Sequence, residues 1–336
     1  MAGKKTYVGK VTLEYLTRFQ GRPKRQIAKV LHKDHPDLFL TLNAAESAVN
    51  YYTGSLGKKN RKYAKREGTI RPLLASPEQA WDAIMPESWS EPIPPFVLPS
   101  GIHSLLVLSD IHVPYHDISA LHAAISFGIL RKPDAVLLNG DTLDFYGISA
   151  HEKDPRKVKW NAELEAGRQV LRMVRKAFPN VPVYFKEGNH EYRMERHLMK
   201  HAPVLIGMPE FELPVLMRMG EVGVEYIRNK RMIHAGGLTI GHGDEWRGAG
   251  GVNPGRWVGL RAKESMMIGH FHRVSEHIER TVRGDVRGYW STGCLCELQP
   301  AYMPYNEWAH GFALVHLNAD GSFEVENKKI INGVVR

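Results

Sequence analysis

The spacing of hydrophobic residues along the chain changes near residue 101, and each part predicts a different structure. Within residues 1–70 the apolar positions recur at helical intervals. This pattern predicts three short helices, because prolines and glycines interrupt it. The predicted helices cover residues 12–19, 24–33 and 43–52. We expect Asn43 to cap the third helix, with Glu46 as its capping-box partner.

From residue 101 onward, short apolar runs alternate with longer helical stretches, such as residues 118–130 and 162–178. Runs of three to five apolar or β-branched residues are typical of buried strands. The alternation therefore predicts an α/β body with buried strands. The predicted strands cover residues 104–108, 135–138, 183–185, 238–240 and 266–268.

Residues 72–99 separate the two parts and contain seven prolines. Proline-rich segments act as semi-rigid spacers, although a short helix within residues 78–84 fits the pattern. We predict a helical domain over residues 1–71, a proline-rich linker over residues 72–100 and an α/β domain over residues 101–336.

The composition excludes several protein classes. Of the 336 residues, 43% are hydrophobic, which is too many for a disordered chain. The sequence has no run of eighteen apolar residues, so we expect no membrane span. The first residues lack the apolar run of a secretory signal, and the chain has only two cysteines, Cys294 and Cys296. These features favour a reducing cytoplasm over a disulfide-bonded secreted fold.

The positive charge is concentrated at one end of the chain. Residues 1–72 contain 16 Lys and Arg but 5 Asp and Glu, whereas the remainder contains 29 basic and 31 acidic residues. A basic segment joined to a nearly neutral body is typical of polyanion binding. A solvated basic surface that aids solubility is the alternative.

The predicted helices of residues 1–70 resemble a helix-turn-helix module with a basic extension. In such a module one helix enters a groove of the nucleic acid while lysines and arginines contact phosphates. A docking or dimerisation bundle is the alternative, and a homo-oligomer is compatible with the sequence. The expected nucleic-acid contacts are Lys58, Lys59, Arg61, Lys62, Lys65 and Arg66.

Each of the five predicted strands is followed by residue types that bind metals or transfer protons. In open α/β sheets such groups gather beyond the carboxyl ends of the strands. Mixed carboxylate, imidazole and amide ligands suit Mn, Fe, Zn or Co rather than Ca. The five segments are Asp110-Ile111-His112, Gly140-Asp141-Thr142-Leu143-Asp144, Gly188-Asn189-His190-Glu191, Gly241-His242-Gly243-Asp244 and Gly269-His270-Phe271-His272.

In this order, the five segments resemble the signature of the calcineurin-like metallophosphoesterases: D-x-H, G-D-x-x-D, G-N-H-[DE], G-H and G-H-x-H. The resemblance covers roughly residues 103–318. It implies a four-layered αββα sandwich that holds two divalent metal ions at its strand ends. Manganese is the first expectation for the metals, with iron, zinc or cobalt as alternatives. The hydrophobic spacing by itself supports only an α/β body with buried strands.

The resemblance also implies a role for each matching residue. His190 matches the histidine that faces the substrate and assists the leaving group, while a metal-activated hydroxide attacks phosphorus. Asp144 is expected to orient His190, with the capping of a turn as the alternative, and the role of Glu191 stays open. The implied ligands are Asp110, His112 and His272 for the first metal, Asp141 as the bridge, and Asn189, His242 and His270 for the second.

Other residues are candidates for substrate binding. The fork-shaped donor group of Arg193 suits a phosphate, although pairing with an acidic residue is the alternative. Residues 247–259 read as a glycine-rich loop in which Arg247, Arg256 and Trp257 could contact phosphates and a base, or simply reverse the chain. Residues 194–225 read either as a cap over the cleft or as a segment packed on the sheet.

These features favour a dinuclear-metal-dependent phosphoesterase that acts on nucleic acid as a nuclease or phosphodiesterase. One alternative is a phosphatase or phosphodiesterase for small molecules or phosphoproteins, with the N-terminal module used for assembly. Another alternative is an inert DNA-binding scaffold. Fold and metal ligands do not by themselves decide between these substrates.

Overall fold

The computed structural model describes residues 2–55, 88–157 and 159–336. Contacts divide the chain into two units, Met1–Ser90 and Glu91–Arg336. The predicted short helix within residues 78–84 and most of the predicted linker lie outside the described residues. So do the six basic residues expected to contact nucleic acid, which are Lys58, Lys59, Arg61, Lys62, Lys65 and Arg66.

Three helices make up the described part of the first unit: α1 (Ala2–Arg18), α2 (Lys24–Asp34) and α3 (Leu42–Thr53). The helical spacing in the sequence is confirmed for all three, although α1 begins ten residues before the predicted start. Their apolar faces form one small core, because residues at this spacing share one side of a helix. The buried residues of that core are Val11, Tyr15, Ile27, Ala28, Leu31, Phe39, Ala45 and Val49.

The predicted cap of α3 is wrong. Thr41, not Asn43, is the N-cap, and its hydroxyl accepts a hydrogen bond from the amide of Ala44 at 3.2 Å. Glu46 forms an ion pair with Arg25 at 3.2 Å instead of closing a capping box. Both Thr41 and Asn43 can cap a helix, and the extended backbone of Thr41 decides which one does so.

The resemblance of this unit to a helix-turn-helix module is not confirmed. Residues 35–41 connect α2 to α3, whereas the turn of that motif has about 3–4 residues. The described helices therefore form a three-helix unit. Binding of nucleic acid by this unit stays a prediction.

The second unit is built on two sheets, and the predicted α/β alternation is confirmed. Among the described residues, one sheet has the strand order β13-β12-β11-β2-β3-β4-β5 and the other has the order β1-β6-β7-β8-β10-β9. The strands are β1 (Phe96–Val97), β2 (Ser104–Leu108), β3 (Ala135–Asn139), β4 (Val183–Lys186), β5 (Val224–Ile227), β6 (Ile233–Ala235), β7 (Leu238–Ile240), β8 (Met266–Ile268), β9 (Val274–Arg280), β10 (Val286–Thr292), β11 (Gly311–Leu317), β12 (Phe323–Ile331) and β13 (Val334–Val335).

The linker predicted over residues 72–100 overlaps this unit at its C-terminal end. Phe96–Val97 forms strand β1 and pairs in parallel with β6. The prolines around this strand hide it from sequence reasoning. They are tolerated there because β1 is short and lies at the edge of its sheet.

Helices cover the outer faces of both sheets, so the unit has four layers in the order α, β, β, α. The helices are α4 (Ile118–Arg131), α5 (Trp160–Ala177), α6 (Tyr192–His201), α7 (Leu213–Leu216) and α8 (Pro254–Ala262). Alternate residues of β2 explain the layering. Leu106 and Leu108 pack in the core that includes α4 and α5, whereas Leu105 and Val107 pack against the second sheet. Because both faces are buried, the strand is a continuous apolar run.

Residues 194–225 pack on the first sheet rather than forming only a cover for the cleft. Met194, Leu198, Leu213, Met217 and Met219 are buried in the same core as β2 and β3. The alternative in which this segment packs on the sheet is therefore the one observed.

Half of the predicted glycine-rich loop over residues 247–259 is helical. Asn253 caps helix α8 by accepting a hydrogen bond from the amide of Arg256 at 2.9 Å, and Pro254 occupies the first turn. Proline at that position and asparagine before it are a standard helix start. The surrounding glycines obscured this signal.

A buried ion pair links the end of β4 to the segment that follows β7. Lys186 is fully buried, and its ammonium lies 3.0 Å from a carboxylate oxygen of Glu245. The same carboxylate accepts hydrogen bonds from the amides of His242 and Gly243 at 2.9 and 2.7 Å. Burial would raise the pKa of Glu245, but Lys186 and His242 lower it to about 2. The pair therefore fixes the turn that carries His242.

Replacing Lys186 with Met should destabilise the second unit by about 3–5 kcal/mol, because it leaves the Glu245 carboxylate buried without its cation. Urea unfolding followed by tryptophan fluorescence reports mainly on this unit, since five of the seven tryptophans lie within Glu91–Arg336. The control Arg156→Met breaks an exposed ion pair with Asp154 and should cost about 1 kcal/mol or less.

The same experiment has a defined pH dependence. The folded pKa of Glu245 is about 2, below its unfolded value of about 4.3. The stabilisation from Glu245 is therefore present above roughly pH 4.3 and is lost as the pH falls toward 2. Equal stability of Lys186→Met and the wild type at neutral pH would contradict this account of the pair.

Candidate dinuclear metal site

The five predicted segments converge at the carboxyl ends of their strands. Strands β2, β3 and β4 are parallel neighbours in the first sheet, and β7 and β8 are parallel neighbours in the second. Parallel neighbours direct the segments that follow them to one edge. Because the two sheets pack face to face, side chains from five separate segments reach one region.

Five of the predicted ligands adopt left-handed backbone conformations. Their φ values are 55° for Asp110, 52° for His112, 49° for Asp141, 65° for His270 and 58° for His272. This conformation is unfavourable for residues other than glycine, and such strain concentrates at functional sites. The surrounding fold therefore holds these side chains in positions that the local backbone does not prefer.

The ligand-type atoms lie close together. The Nε2 atoms of His112 and His272 are 3.1 Å apart, and Nε2 of His272 lies 3.1 Å from Oδ1 of Asp110. On the other side, Nε2 of His242 lies 3.2 Å from Oδ2 of Asp141. Asp141 belongs to two groups whose ligand atoms all lie within 4.8 Å of one another. These groups are Asp110, His112 and Asp141, and Asp141, His242 and His270.

The cluster contains buried atoms that suit a cation, and two of them, Oδ1 of Asp110 and Nε2 of His242, lie against other ligand-type atoms. Among the described residues, buried atoms without a hydrogen bond include Oδ1 of Asp110, Oδ1 of Asn189, Nε2 of His242 and Nδ1 of His270. Buried polar atoms are normally paired, and divalent cations are held by these donor types. The residues present therefore fit a site for two cations that share Asp141.

The pKa shifts within the cluster also fit a site for cations. Burial would raise the pKa of Asp110, but His272 and His112 hold it well below its usual range. Burial would lower the pKa of His272, but Asp110 raises it to about 9. Without cations, the imidazoles of His112, His242 and His272, whose pKa values are raised, thus hold protons that balance the carboxylates. Metal ions would displace those protons, so their affinity should increase with pH.

Hydrogen bonds on the far side of two of the imidazoles orient their rings. Nδ1 of His242 donates to the carbonyl oxygen of Asn139 at 2.8 Å, which directs Nε2 toward Asp141. Nδ1 of His112 lies 3.2 Å from a carboxylate oxygen of Asp144. Such outer partners fix the ring position and the tautomer of metal-binding histidines. Asp144 therefore orients His112 with its carboxylate, which the sequence did not predict.

Asp144 contacts the predicted substrate-facing histidine, His190, mainly through its backbone. Nδ1 of His190 donates to the carbonyl oxygen of Asp144 at 2.8 Å, whereas the Asp144 carboxylate is 3.7 Å away. Nη2 of Arg193 lies 2.8 Å from Nε2 of His190, and Nη1 donates to the Asp144 carbonyl at 2.7 Å. Burial, with help from His112 and Arg193, lowers the pKa of His190 to about 3. His190 is therefore neutral here, with Nε2 accepting from Arg193.

Glu191, whose role the sequence left open, organises the segment after β3. Its buried carboxylate accepts hydrogen bonds at 2.9 Å from the amides of Asp141, Leu143 and Gly188. Burial and the charge of Asp141 raise its pKa to about 7. Glu191 thus positions Asp141 through the backbone.

Residues 103–260 match the family model of the calcineurin-like phosphoesterases. This part of the chain, slightly less than half of its length, is therefore similar to a family whose members bind divalent metals. His270 and His272 lie beyond the matched residues, and their inclusion in the site rests on their distances to the other ligands.

The chain is also similar to two phage proteins. The Gene 54 protein of Mycobacterium phage L5 is 28% identical over 237 residues, which cover 65% of this chain and 89% of that protein. The Gene 54 protein of Mycobacterium phage D29 is 28% identical over 182 residues, which cover 50% of this chain and 69% of that protein.

Among solved structures, similar chains include a single mutant of Vps29 from Entamoeba histolytica and Yfce, a phosphoesterase from E. coli. The Vps29 match has a TM-score of 0.36 and 13% identity, and covers 69% of this chain and 96% of that chain. The Yfce match has a TM-score of 0.32 and 14% identity, and covers 67% of this chain and 98% of that chain.

The predicted substrate residues of the second unit differ in their positions. Arg193 lies at the site, as described above. Arg247 and Arg256 are exposed. Trp257 packs on Phe271, with ring centroids 5.0 Å apart, and the guanidinium of Arg261 lies 3.8 Å from its ring centroid. Trp257 is thus part of the packing around α8.

Replacing Gly269 with Ala should weaken metal binding by about 10- to 100-fold, the range found when partners of metal ligands are disturbed. A Cβ atom there would collide with Oδ2 of Asp110 and lie 2.8 Å from Cβ of Ser109. Metal content after equilibration with Mn²⁺ and dialysis measures the effect. In the control Gly101→Ala, the added methyl group meets no atom within 4 Å. Full metal retention by the Gly269 variant would contradict the proposed position of Asp110.

Proposed function

We propose that this protein is a metal-dependent phosphoesterase that hydrolyses phosphoester bonds in nucleic acid. The observation that carries the proposal is that Asp141 is shared between two buried groups of ligand atoms. Two cations held there, with manganese as the first expectation, would polarise a water molecule and neutralise the phosphoryl oxygens. The family match supports the reaction class.

The residues around the cluster have separate tasks in this proposal. Asp110, His112 and His272 would hold one cation, Asn189, His242 and His270 would hold the other, and Asp141 would bind both. Glu191 and Glu245 fix the backbone of two ligand segments. His190 and Arg193 are then placed to contact the phosphate of the substrate.

Arg193 is well placed to bind a non-bridging phosphate oxygen. Its guanidinium lies against His190 with 17% of the side chain exposed, and its fork of donors suits phosphate. When Arg193 turns to the substrate, Nε2 of His190 no longer faces a cation and would take up a proton from water, which it could then donate to the oxygen that leaves phosphorus. Direct protonation by a water molecule is the alternative.

The charge distribution supports nucleic acid as the substrate. The excess positive charge of the chain lies within residues 1–72, and lysine and arginine clusters bind the phosphate backbone without regard to sequence. A basic segment tethered to the phosphoesterase domain would raise the local concentration of the substrate. Binding of DNA, RNA or protein by this segment stays a prediction.

The test is cleavage of single- and double-stranded DNA by the full-length protein with Mn²⁺. We expect metal-dependent cleavage that falls about 100-fold or more in Asp141→Asn, because the shared carboxylate contributes several kcal/mol to holding both cations. The matched control Asp285→Asn removes a carboxylate at an exposed position and should cleave like the wild type. Cleavage equal in Asp141→Asn and the wild type would exclude this site.

The basic segment is tested by replacing Lys58, Lys59, Arg61, Lys62, Lys65 and Arg66 with Gln in the Asp141→Asn protein, which binds without cutting. The logarithm of affinity should fall less steeply with the logarithm of salt concentration, by roughly 0.9 for each lost phosphate contact. An unchanged slope would remove this segment from the nucleic-acid interface.

A further inference from the structure

A cavity of about 360 Å³ lies directly beside the ligand cluster. Its lining includes His112, His272 and Asp144, so a phosphate at the cluster places the rest of its molecule in or near this cavity. The volume falls within the roughly 300–1,000 Å³ of small-molecule sites. Nothing in the sequence pattern singled out this region.

Aromatic rings extend from the metal ligands along the cavity. The ring centroid of Trp308 lies 4.2 Å from that of His272, and the centroid of Tyr302 lies 6.3 Å from that of Trp308. Tyr115 and Tyr146 line the same cavity, with centroids 6.5 Å apart. Tyr302 is 75% exposed and Tyr115 is 40% exposed, so their rings are available to a ligand.

Hydrogen bonds hold the segment that carries Trp308 and Tyr302 in place. The side-chain amide of Asn306 donates to the carbonyl oxygens of Leu298 and Met303 at 2.6 and 2.9 Å, and its oxygen accepts from the amide of Trp308 at 2.9 Å. The amide of Glu297 donates to the carbonyl oxygen of Tyr115 at 2.9 Å, which ties the two aromatic parts of the lining together.

Polar groups accompany the rings. Gln299, Glu297 and Lys157 also line the cavity. Together they offer hydrogen-bond donors and acceptors beside flat aromatic faces. That combination suits a planar group with a polar edge, which is the chemistry of a nucleobase.

We propose that this cavity binds a base of the nucleic acid whose phosphate lies at the metal cluster. The proposal rests on the proposed function and adds the substrate class of the same site. The base stacks on Tyr302, with the ring of Trp308 inclined at 64° beside it. Such stacking contributes to affinity without strict sequence preference, since every base has an aromatic face. Tyr302, Trp308 and Tyr115 are then substrate-binding residues.

A phosphotyrosine side chain is the other aromatic phosphate that could enter. Its phenyl ring has no polar edge to use Gln299 or Lys157, so the lining favours a base. Binding of free phosphotyrosine as tightly as a nucleotide would overturn the assignment.

Cleavage of one DNA strand tests the cavity and the proposed function separately. The substrate is a single-stranded oligothymidylate in which one residue is a stable abasic analogue, cut by the Mn²⁺-loaded full-length protein. We expect cleavage beside the abasic residue to be about tenfold slower than at the other bonds, as loss of one stacked base predicts. Tyr302→Ala should lose this discrimination, whereas Tyr302→Phe should keep it.

Tyr305→Ala is the matched control, because Tyr305 lies in the same segment, is 95% exposed and does not line the cavity described here. It should discriminate like the wild type. Uniform cleavage along the strand by the wild type would overturn the base site while leaving the proposed function intact. An absence of cleavage at every bond would overturn the proposed function and, with it, the base site.

Binding gives a readout that does not depend on turnover. Calorimetry of the Asp141→Asn protein should show thymidine 5′-monophosphate binding about tenfold tighter than deoxyribose 5-phosphate, a difference of about 1.4 kcal/mol. Tyr302→Ala should abolish that difference. Equal affinities for the two ligands in Asp141→Asn would contradict the base site directly.

Discussion

The structure depends on one electrostatic constraint: carboxylates and imidazoles buried together in one cluster must share positive charge. Two imidazole nitrogens, from His112 and His272, face each other at 3.1 Å beside the Asp110 carboxylate. A second imidazole and carboxylate pair, His242 and Asp141, lies in the same cluster. Uncompensated charge at this depth costs several kcal/mol per ion. Two divalent cations, as the proposed function requires, would satisfy these groups together.

The scaffold holds this arrangement against local preference. Five of the predicted ligands occupy left-handed backbone conformations, so the strain must be balanced by contacts elsewhere. Glu191 and Glu245 provide part of that balance, because each accepts backbone hydrogen bonds from a ligand segment. Burial raises the pKa of Glu191, whereas the Lys186 cation outweighs burial at Glu245 and lowers its pKa. Both carboxyl groups thus hold a backbone segment in place, Glu191 with a raised pKa and Glu245 with a lowered one.

The sequence predicts those strands and candidate site residues that local patterns encode. The strands that carry the site are buried on both faces, so their apolar runs were visible, and the residues after them carry distinctive chemistry. Patterns failed where two signals compete, as at Thr41 and Asn43, or where glycines hide a helix start, as at Asn253 and Pro254. They also missed Trp308 and Tyr302. These residues lie in the connection between β10 and β11, and only the folded chain brings them to the ligand cluster.

The most direct test of the central claim is a crystal structure of the Mn²⁺-loaded protein with anomalous scattering measured at the manganese edge. The account predicts two anomalous peaks about 3.5–4 Å apart, one on each side of the Asp141 carboxylate. A single peak, or manganese bound only at sites away from Asp141, would contradict it.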